Sequence, residues 1–312
     1  MIWDYVIFVV AMFALSKGAD FVIEESEKIA LHYNISNFVI GATLVALGTS
    51  LPEMASSMMA SYSGRNEMAV ANVVGSNIIN IALVLGVVFV MSKNLMPQRD
   101  IFAKDGAWGL FPVLTFIVMV MDGSVSRFEG FLLLLMMGAY LLFLIQNDDE
   151  IDSEVDEKLA KEKFDWKGSS IYLLAGFVLV IVGANFTVDS ASNIARAFGV
   201  SEWIIGLLLV ALGTSLPELM VSISAAKKGN ADMVIGGIIG SNVSNFTVVL
   251  GSAALINPLS VDLAKNAFDI IAVLVVAVML VFITANKLYT RSAGVVLLIM
   301  MALVLEHSFV QF

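Results

Sequence analysis

The sequence predicts an all-α integral membrane protein with ten transmembrane helices arranged as two inverted repeats of five helices. Three observations predict this fold. Of the 312 residues, 59% are apolar and only 14% are charged, apolar stretches long enough to cross a bilayer recur along the whole chain, and one half of the chain repeats the other. Ordinary soluble domains are far more polar, so we expect the lipid bilayer to surround this protein.

The ten predicted spans follow one another with short connections. A helix needs about 20 apolar residues to cross the hydrocarbon core of a membrane. The spans are placed at residues 2–24, 38–62, 67–91, 106–121, 128–146, 169–195, 203–226, 233–256, 267–285 and 290–311. The first of them lacks a basic leader and a small-residue cleavage site, so we expect a retained helix and not a signal peptide.

An acidic segment divides the chain into three parts. Residues 1–146 form the first predicted repeat, residues 147–168 a linker, and residues 169–312 the second repeat. The run Asp148-Asp149-Glu150-Ile151-Asp152-Ser153-Glu154 is typical of a solvated linker. A regulatory calcium site is the alternative, but the run lacks the glycine-centred spacing of an EF-hand.

Cysteine is absent, and the two histidines lie far from each other at positions 32 and 307. This excludes disulfide bonds, thiolate metal sites and a histidine metal centre with ordinary ligand spacing. The sequence is also expected to have no cofactor, no enzymatic activity and no nucleic-acid partner. Helix packing and buried polar contacts must hold the fold together.

Lysine and arginine are distributed unequally between alternate loops, and this bias sets the orientation of membrane proteins. It predicts a multi-pass protein of the cell (inner) membrane with both termini outside or in the periplasm and the central loop in the cytoplasm. The basic residues on the predicted cytoplasmic side are Lys28, Lys93, Arg99, Lys104, Lys158, Lys161, Lys163, Lys167, Lys227, Lys228, Lys287 and Arg291, and those on the other side are Arg65, Arg127, Arg196 and Lys265.

The internal repeat has a constant offset of 165 residues without a gap. Residues 45–53, Val-Ala-Leu-Gly-Thr-Ser-Leu-Pro-Glu, recur unchanged at 210–218, and Gly-Ser-Asn at 75–77 recurs at 240–242. Because each half holds an odd number of spans, the second copy enters the bilayer upside down. Paired elements of inverted repeats meet near the membrane midplane, where alternating access needs a substrate site.

Two glutamates, Glu53 and Glu218, fall near the middle of predicted spans in the two repeats. A carboxylate at the bilayer centre costs at least about 2.5 kcal/mol on insertion scales, so it normally faces a cavity, a partner or an ion. The neighbouring spans offer no lysine or arginine at matching depth. A bound cation is one explanation, and protonation of the desolvated carboxyl groups is the other.

The residues around each glutamate are rich in oxygen atoms that suit a hard cation. Proline next to each glutamate frees backbone carbonyls, and irregular backbone at this depth is tolerated where it lines a cavity. Calcium takes six to eight oxygen ligands, and sodium accepts the same ligand types. The alternatives are helix-kink capping for the hydroxyls and helix–helix contacts for the amides. The candidate ligands are Glu53, Glu218, Ala46, Thr49, Ser50, Ala211, Thr214, Ser215, Ser76, Asn80, Ser241 and Asn245.

The two copies of Gly-Thr-Ser-Leu-Pro-Glu and of Gly-Ser-Asn resemble the alpha repeats of the sodium/calcium exchanger branch of the cation/calcium antiporter superfamily, in its prokaryotic form. The resemblance covers both repeats and implies an antiporter that exchanges calcium for sodium. It implies that Glu53, Glu218 and the backbone oxygens of Thr49 and Thr214 bind calcium. It assigns overlapping sodium sites to Ala46, Ser50, Ser76, Ala211, Thr214, Ser215 and Ser241, with Asn80 beside a central position.

One departure from the family pattern concerns Asn245, where some members, including the potassium-dependent exchangers, carry aspartate. A potassium requirement is therefore not expected. The proton/calcium branch usually places asparagine after the motif glycine, where this chain has Thr49 and Thr214. The resemblance favours sodium coupling over the alternative of proton/calcium exchange, and a monomer is expected to suffice for transport.

Overall fold

The computed structural model describes residues 2–92, 95–148, 165–198 and 213–310. Several predictions lie partly or wholly outside these residues. They concern Ala211, most of the acidic linker, the first half of the span predicted at 203–226, and the basic residues Lys93, Lys158, Lys161 and Lys163.

The described residues form helices joined by short connections, with one small strand pairing. We number the helices α1 Ile2–Tyr33, α2 Asn37–Thr49, α3 Leu51–Tyr62, α4 Asn66–Met91, α5 Ile101–Asp105, α6 Phe111–Asp122, α7 Arg127–Gln146, α8 Trp166–Ala197, α9 Leu216–Lys227, α10 Ala231–Ile256, α11 Leu263–Ala285 and α12 Arg291–Val310. The strands are β1 Ser124–Val125 and β2 Leu259–Ser260, which pair antiparallel.

Seven helices in the described part of the chain are long and apolar enough to cross a membrane, and the bent pair α2–α3 adds an eighth. Eight of the ten predicted spans coincide with these helices apart from their ends. The span predicted at 106–121 corresponds to the shorter apolar helix α6, and the span predicted at 203–226 is described only from Gly213 onward. The first helix continues to Tyr33, beyond the predicted end at residue 24, because its last turns are amphipathic and carry charged residues. The fourth begins at Phe111 and not at 106, since residues 106–110 form turns. The last residues assigned to the linker, from Trp166 onward, already belong to α8.

Helix bounds in the two halves follow the sequence repeat. Adding 165 to the bounds of α3, 51–62, and α4, 66–91, gives 216–227 and 231–256, which are the bounds of α9 and α10. Both α4 and α10 also contain a π-helical segment at nearly the same place, Ile79–Leu85 and Asn245–Val249. Such segments are common at functional sites because they displace side chains and carbonyls from the regular α-helical pattern.

Helices α2 and α3 meet at a break at Ser50, where the helix axis bends by 47°. Ser50 has φ −82° and ψ 5°, outside the regular helical range. Pro52 follows in the first turn of α3, a position where its missing N–H costs no intrahelical hydrogen bond. The proline therefore begins the second helix at the break and does not distort the middle of a helix.

Helix α10 lies at the centre of the fold, and nearly every residue from Ala231 to Ser244 is buried. Its glycines allow α2 to approach closely. A β-carbon at Gly236 or Gly240 would overlap the backbone carbonyl of Phe38 or Ala42. The sequence therefore supports a backbone-to-backbone contact between the two halves of the chain, as small residues do in membrane helix pairs.

Helices α1 and α8 pack against each other along their length, in antiparallel directions. A β-carbon at Gly18 would lie 2.8 Å from the Gly176 carbonyl oxygen, and one at Gly183 would lie 2.8 Å from the Leu15 nitrogen. The outer side of α1 exposes large apolar residues such as Val9 and Val10. This pair therefore lies at the edge of the bundle, with one side on its partner and the other toward lipid.

Arg99 lies in a buried ion pair, although the charge count treats it as one loop residue among twelve. Its Nε is 2.6 Å from Asp105 Oδ2, its Nη1 donates to the Asn147 carbonyl oxygen, and its guanidinium lies 4.7 Å from the centre of the Phe38 ring. The contacts join α5, the end of α7 and the start of α2. Such a pair needs full hydrogen bonding to offset its desolvation.

Candidate cation site

The two glutamates lie in the first turns of α3 and α9, directly after the repeated Gly-Thr-Ser-Leu-Pro sequence. Glu53 is 1% exposed and Glu218 is 4% exposed. In each case a serine precedes the helix and a proline occupies its first turn. The local sequence therefore places each carboxylate at a helix N-terminus, where the backbone carries partial positive charge.

The fold brings the two glutamates together from opposite halves of the chain. Ser50, at the break before α3, has its hydroxyl 3.5 Å from Glu218 Oε1. Thr49, one residue earlier, also contacts the Glu218 carboxylate, and the charges of Glu53 and Glu218 interact with each other. Residues 165 positions apart in sequence thus share one buried site.

No cationic side chain neutralises this site within the described residues. Neither Glu53 nor Glu218 takes part in an ion pair there, and the Oε2 atom of each is buried without a hydrogen-bond donor. Two unpaired carboxylates inside a protein are costly unless a cation or a proton balances them. One divalent cation or two monovalent cations would balance the two negative charges.

The hydroxyl groups of the repeated motif are divided between local and cross-site contacts. Thr49 Oγ1 donates to the carbonyl oxygens of Val45 and Ala46, at 3.1 and 3.2 Å, in the manner of a hydroxyl on a helix. The Ala46 carbonyl also accepts from the Ser50 N–H at 3.1 Å. A coordinating role for Ala46 would therefore use an oxygen that already has two donors.

In the second copy of the motif, Ser215 is buried and its Oγ has no partner among the described residues, while Thr214 is partly buried. The Ser215 oxygen, three residues before Glu218, is thus available to a ligand. Ala211, the counterpart of Ala46, lies outside the described residues.

Helices α4 and α10 line the same region with amides and hydroxyls. Asn80 Nδ2 donates to Asn242 Oδ1 at 3.1 Å, which joins the two helices. The Oδ1 atoms of Asn80 and Asn245 are buried without donors in the described structure. Ser76 and Ser241 are 4% and 1% exposed. The amides therefore form a helix–helix contact and still offer free oxygen acceptors. This is compatible with a packing role and with a role as cation ligands.

Asn72 supports the helix turn that carries Glu53, and it was not among the residues predicted from the sequence. Its Nδ2 donates to the Glu53 carbonyl oxygen at 3.3 Å and to Ser57 Oγ at 2.8 Å, which holds the first turns of α3 against α4. The available signal was spacing, because residues 72, 76 and 80 are four apart and lie on one side of a helix. The second repeat has Gly237 at the corresponding place, so the repeat alone did not point to Asn72.

The donor set consists of two carboxylates and neutral oxygens. The described residues contain no group of three or more His, Asp or Glu side chains able to hold a metal ion. Hard cations such as calcium and sodium prefer oxygen ligands of this kind. The site has no nucleophile paired with a base, so its chemistry suits reversible cation binding.

Comparison with known proteins agrees with this chemistry. Residues 3–146 and 168–310 match the family model described as sodium/calcium exchanger protein. The sodium/calcium exchanger MaX1 of Methanosarcina acetivorans is 31% identical, with 95% of each chain covered. An uncharacterised membrane protein of Methanocaldococcus jannaschii is 37% identical, with 89% of each chain covered. The solved structure of the sodium-calcium exchanger NCX_Mj, soaked without Na⁺ and Ca²⁺, is similar with a TM-score of 0.84, 32% identity and 97% of each chain covered.

Proposed function

Because this chain belongs to the sodium/calcium exchanger protein family, we propose that it is a secondary active antiporter that exchanges calcium for sodium across a membrane by alternating access. The observation that carries the proposal is the buried pair Glu53 and Glu218, with the Ser50 hydroxyl beside Glu218 and no cationic side chain paired with either glutamate in the described structure. Two negative charges balance one calcium ion or two sodium ions.

The pair supplies the charge in this proposal, and neutral oxygens complete the ligand shell. Calcium binds between the two carboxylates, and sodium ions compete for overlapping positions. The hydroxyl, amide and carbonyl oxygens assigned to these positions belong to Ala46, Thr49, Ser50, Ala211, Thr214, Ser215, Ser76, Asn80, Ser241 and Asn245. The buried, donor-free oxygens of Ser215, Asn80 and Asn245 support the assignment.

The architecture we propose for transport is the ten-helix plan of two inverted repeats, with residues 147–168 as a cytoplasmic linker and both termini on the other side. The matching bounds of α3 and α9 and of α4 and α10 support it. Inversion places the two glutamates on either side of a pseudo-two-fold axis in the membrane plane, so that two equivalent paths lead to them from opposite sides.

One of these paths is closed by contacts between α1 and α9. Ser224 Oγ donates to Asp20 Oδ1 at 2.7 Å, and Lys228 Nζ lies 3.1 Å from Glu24 Oε1. The equivalent pair in the other repeat, α8 and α3, packs much less closely in the described part of the chain. In the proposed mechanism these contacts shut the site on the predicted cytoplasmic side, and α1 separates from α9 for ions to leave there.

Coupling follows from charge in this mechanism. The empty site holds two uncompensated carboxylates and cannot pass through the closed intermediate, whereas the calcium-loaded and sodium-loaded sites can. Ion binding shifts the population of conformations by differential affinity, as linkage requires. Neither ion undergoes a chemical reaction.

Calcium uptake into proteoliposomes tests the proposal. Uptake of isotopic calcium driven by an outward sodium gradient at uniform pH supports sodium coupling. Uptake that needs only a pH gradient would assign the same glutamates to proton/calcium exchange, in which they release protons as calcium binds. Calcium flux without any counter-ion would show a channel and contradict both forms of antiport.

A further inference from the structure

A groove between the end of α11 and the start of α12 faces away from the bundle, far in sequence from the glutamates. Its volume is about 480 Å³, and its walls are almost wholly apolar. The exposed fractions are 48% for Val278 and 61% for Phe282 on α11, and 52% for Val296 on α12. In a membrane protein such a surface lies against lipid chains.

The polar end of the groove carries two cations. Lys287 and Arg291 are both exposed and adjoin in sequence the lining residues Leu288, Thr290 and Ser292, and neither is in an ion pair among the described residues. The hydroxyls of Thr290 and Ser292, 2.8 Å apart, line the same end. The N-terminus of α12, a helix of 20 residues that begins at Arg291, adds partial positive charge.

The loop between the helices is held in place, so the cations are presented from a fixed support. Tyr289 is buried, with its ring centre 6.1 Å from that of Phe89. Burial, with Asp100 and Asp232 nearby, raises the pKa of Tyr289 to about 12. The tyrosine therefore stays neutral, and the negative charge near this loop is that of Asp100 and Asp232.

The basic pair is not a requirement of the repeated fold. Subtracting 165 from positions 287 and 291 gives Asp122 and Ser126 in the equivalent connection between α6 and α7. That connection has an acidic residue and a capping serine that accepts from Glu129 N–H. Helix packing is thus achieved in the first repeat without the two cations.

We propose that this groove binds an anionic phospholipid, with an acyl chain along Val278, Phe282 and Val296 and the phosphate between Lys287 and Arg291. Basic residues at the membrane surface attract anionic lipids, and each contributes a modest amount of binding energy. The apolar groove, whose polar end includes Thr290 and Ser292, provides a place for the chain. A neutral lipid has the same chains but lacks the charge that these residues recognise.

Native mass spectrometry of the detergent-solubilised protein tests the assignment, with phosphatidylglycerol and phosphatidylcholine titrated separately. The parent protein is expected to retain phosphatidylglycerol in preference to phosphatidylcholine. The double variant Lys287→Gln, Arg291→Gln is expected to bind phosphatidylglycerol about 30-fold more weakly. The control variant Lys167→Gln, Lys227→Gln removes the same charge from two exposed lysines elsewhere and is expected to bind as the parent does.

Val296→Trp provides a second test, because it fills the groove and leaves both cations in place. It is expected to weaken retention of phosphatidylglycerol without altering the thermal unfolding temperature. Equal retention of the two lipids by the parent, or unchanged phosphatidylglycerol binding in the double variant, would overturn the proposal. The measurement is independent of ion transport, so its outcome does not depend on the proposed antiport.

Discussion

The hydroxyl of Ser50 lies 3.5 Å from a carboxylate oxygen of Glu218, which belongs to the other half of the chain. Ser50 is also the residue at which α2 ends and α3 begins. The break in one repeat thus directs a hydroxyl at the charge of the other. This relationship makes the site a joint product of both repeats.

Replacing either carboxylate is expected to abolish exchange. Glu53→Gln or Glu218→Gln removes half of the negative charge that balances calcium, and we expect calcium uptake below about 1% of the parental rate. Isotopic uptake into proteoliposomes measures it. Glu67→Gln is the matched control, since Glu67 is exposed on α4. Normal transport by either buried-site variant would disprove the two-carboxylate model.

Removal of the Ser50 hydroxyl is expected to weaken ion binding without unfolding the protein. Ser50→Ala takes away one donor to Glu218, and the apparent affinity for calcium should fall about threefold to tenfold. Calcium titration by isothermal calorimetry measures the change. Ser63→Ala, at an exposed serine beyond the end of α3, should leave the affinity unchanged. An unaltered affinity in Ser50→Ala would mean that Ser50 takes no part in ion binding and only marks the break between α2 and α3.

A charge introduced at Asn245 is expected to strengthen cation binding. Asn245 is 1% exposed and its Oδ1 has no donor in the described structure. Asn245→Asp would add a third carboxylate near the two glutamates, so we expect tighter cation binding and a changed cooperativity for sodium. The sodium dependence of calcium uptake measures this. Identical sodium curves for the variant and parent would indicate that Asn245 serves packing alone.

The ion pair between Lys228 and Glu24 is expected to hold the predicted cytoplasmic path shut. Both side chains are partly exposed, so the ion pair is weak. Lys228→Ala should therefore shift the equilibrium toward the conformation open to the predicted cytoplasmic side by only about twofold to fivefold. The chain has no cysteine, and Ser222→Cys on α9 therefore provides a single site for maleimide labelling. Labelling should become faster in Lys228→Ala but not in Lys227→Ala, its exposed neighbour. Equal rates in all three proteins would contradict this role.

The close approach of α10 to α2 is expected to be intolerant of a methyl group. Gly240→Ala would overlap the backbone of Ala42, and overpacking of this kind costs about 1–3 kcal/mol. The thermal unfolding temperature in detergent should fall. Gly138→Ala on the exposed side of α7 is the control, where a β-carbon meets no neighbour in the described structure. A stable Gly240→Ala variant would mean that α2 can move away from α10 without penalty.

Several conclusions were accessible from the sequence because they depend on local patterns. Hydropathy marked the spans, since a helix that crosses lipid needs about 20 mostly apolar residues. The family is confirmed, as is the expectation of a transporter and not an enzyme. The buried position of Glu53 and Glu218 also agrees with their place within apolar segments. Which ions the chain couples, and which oxygens bind them, stay predictions.

Other features followed only from the packing of distant segments. The contact from Ser50 to Glu218 and the hydrogen bond from Asn80 to Asn242 join residues more than 160 positions apart. The burial of Arg99 and the support of Glu53 by Asn72 likewise require neighbouring helices to be in place. A sequence pattern reports which side of a helix is polar, because periodicity is local. It does not report which helix covers that side, because this depends on crossing angles and close backbone contacts across the whole bundle.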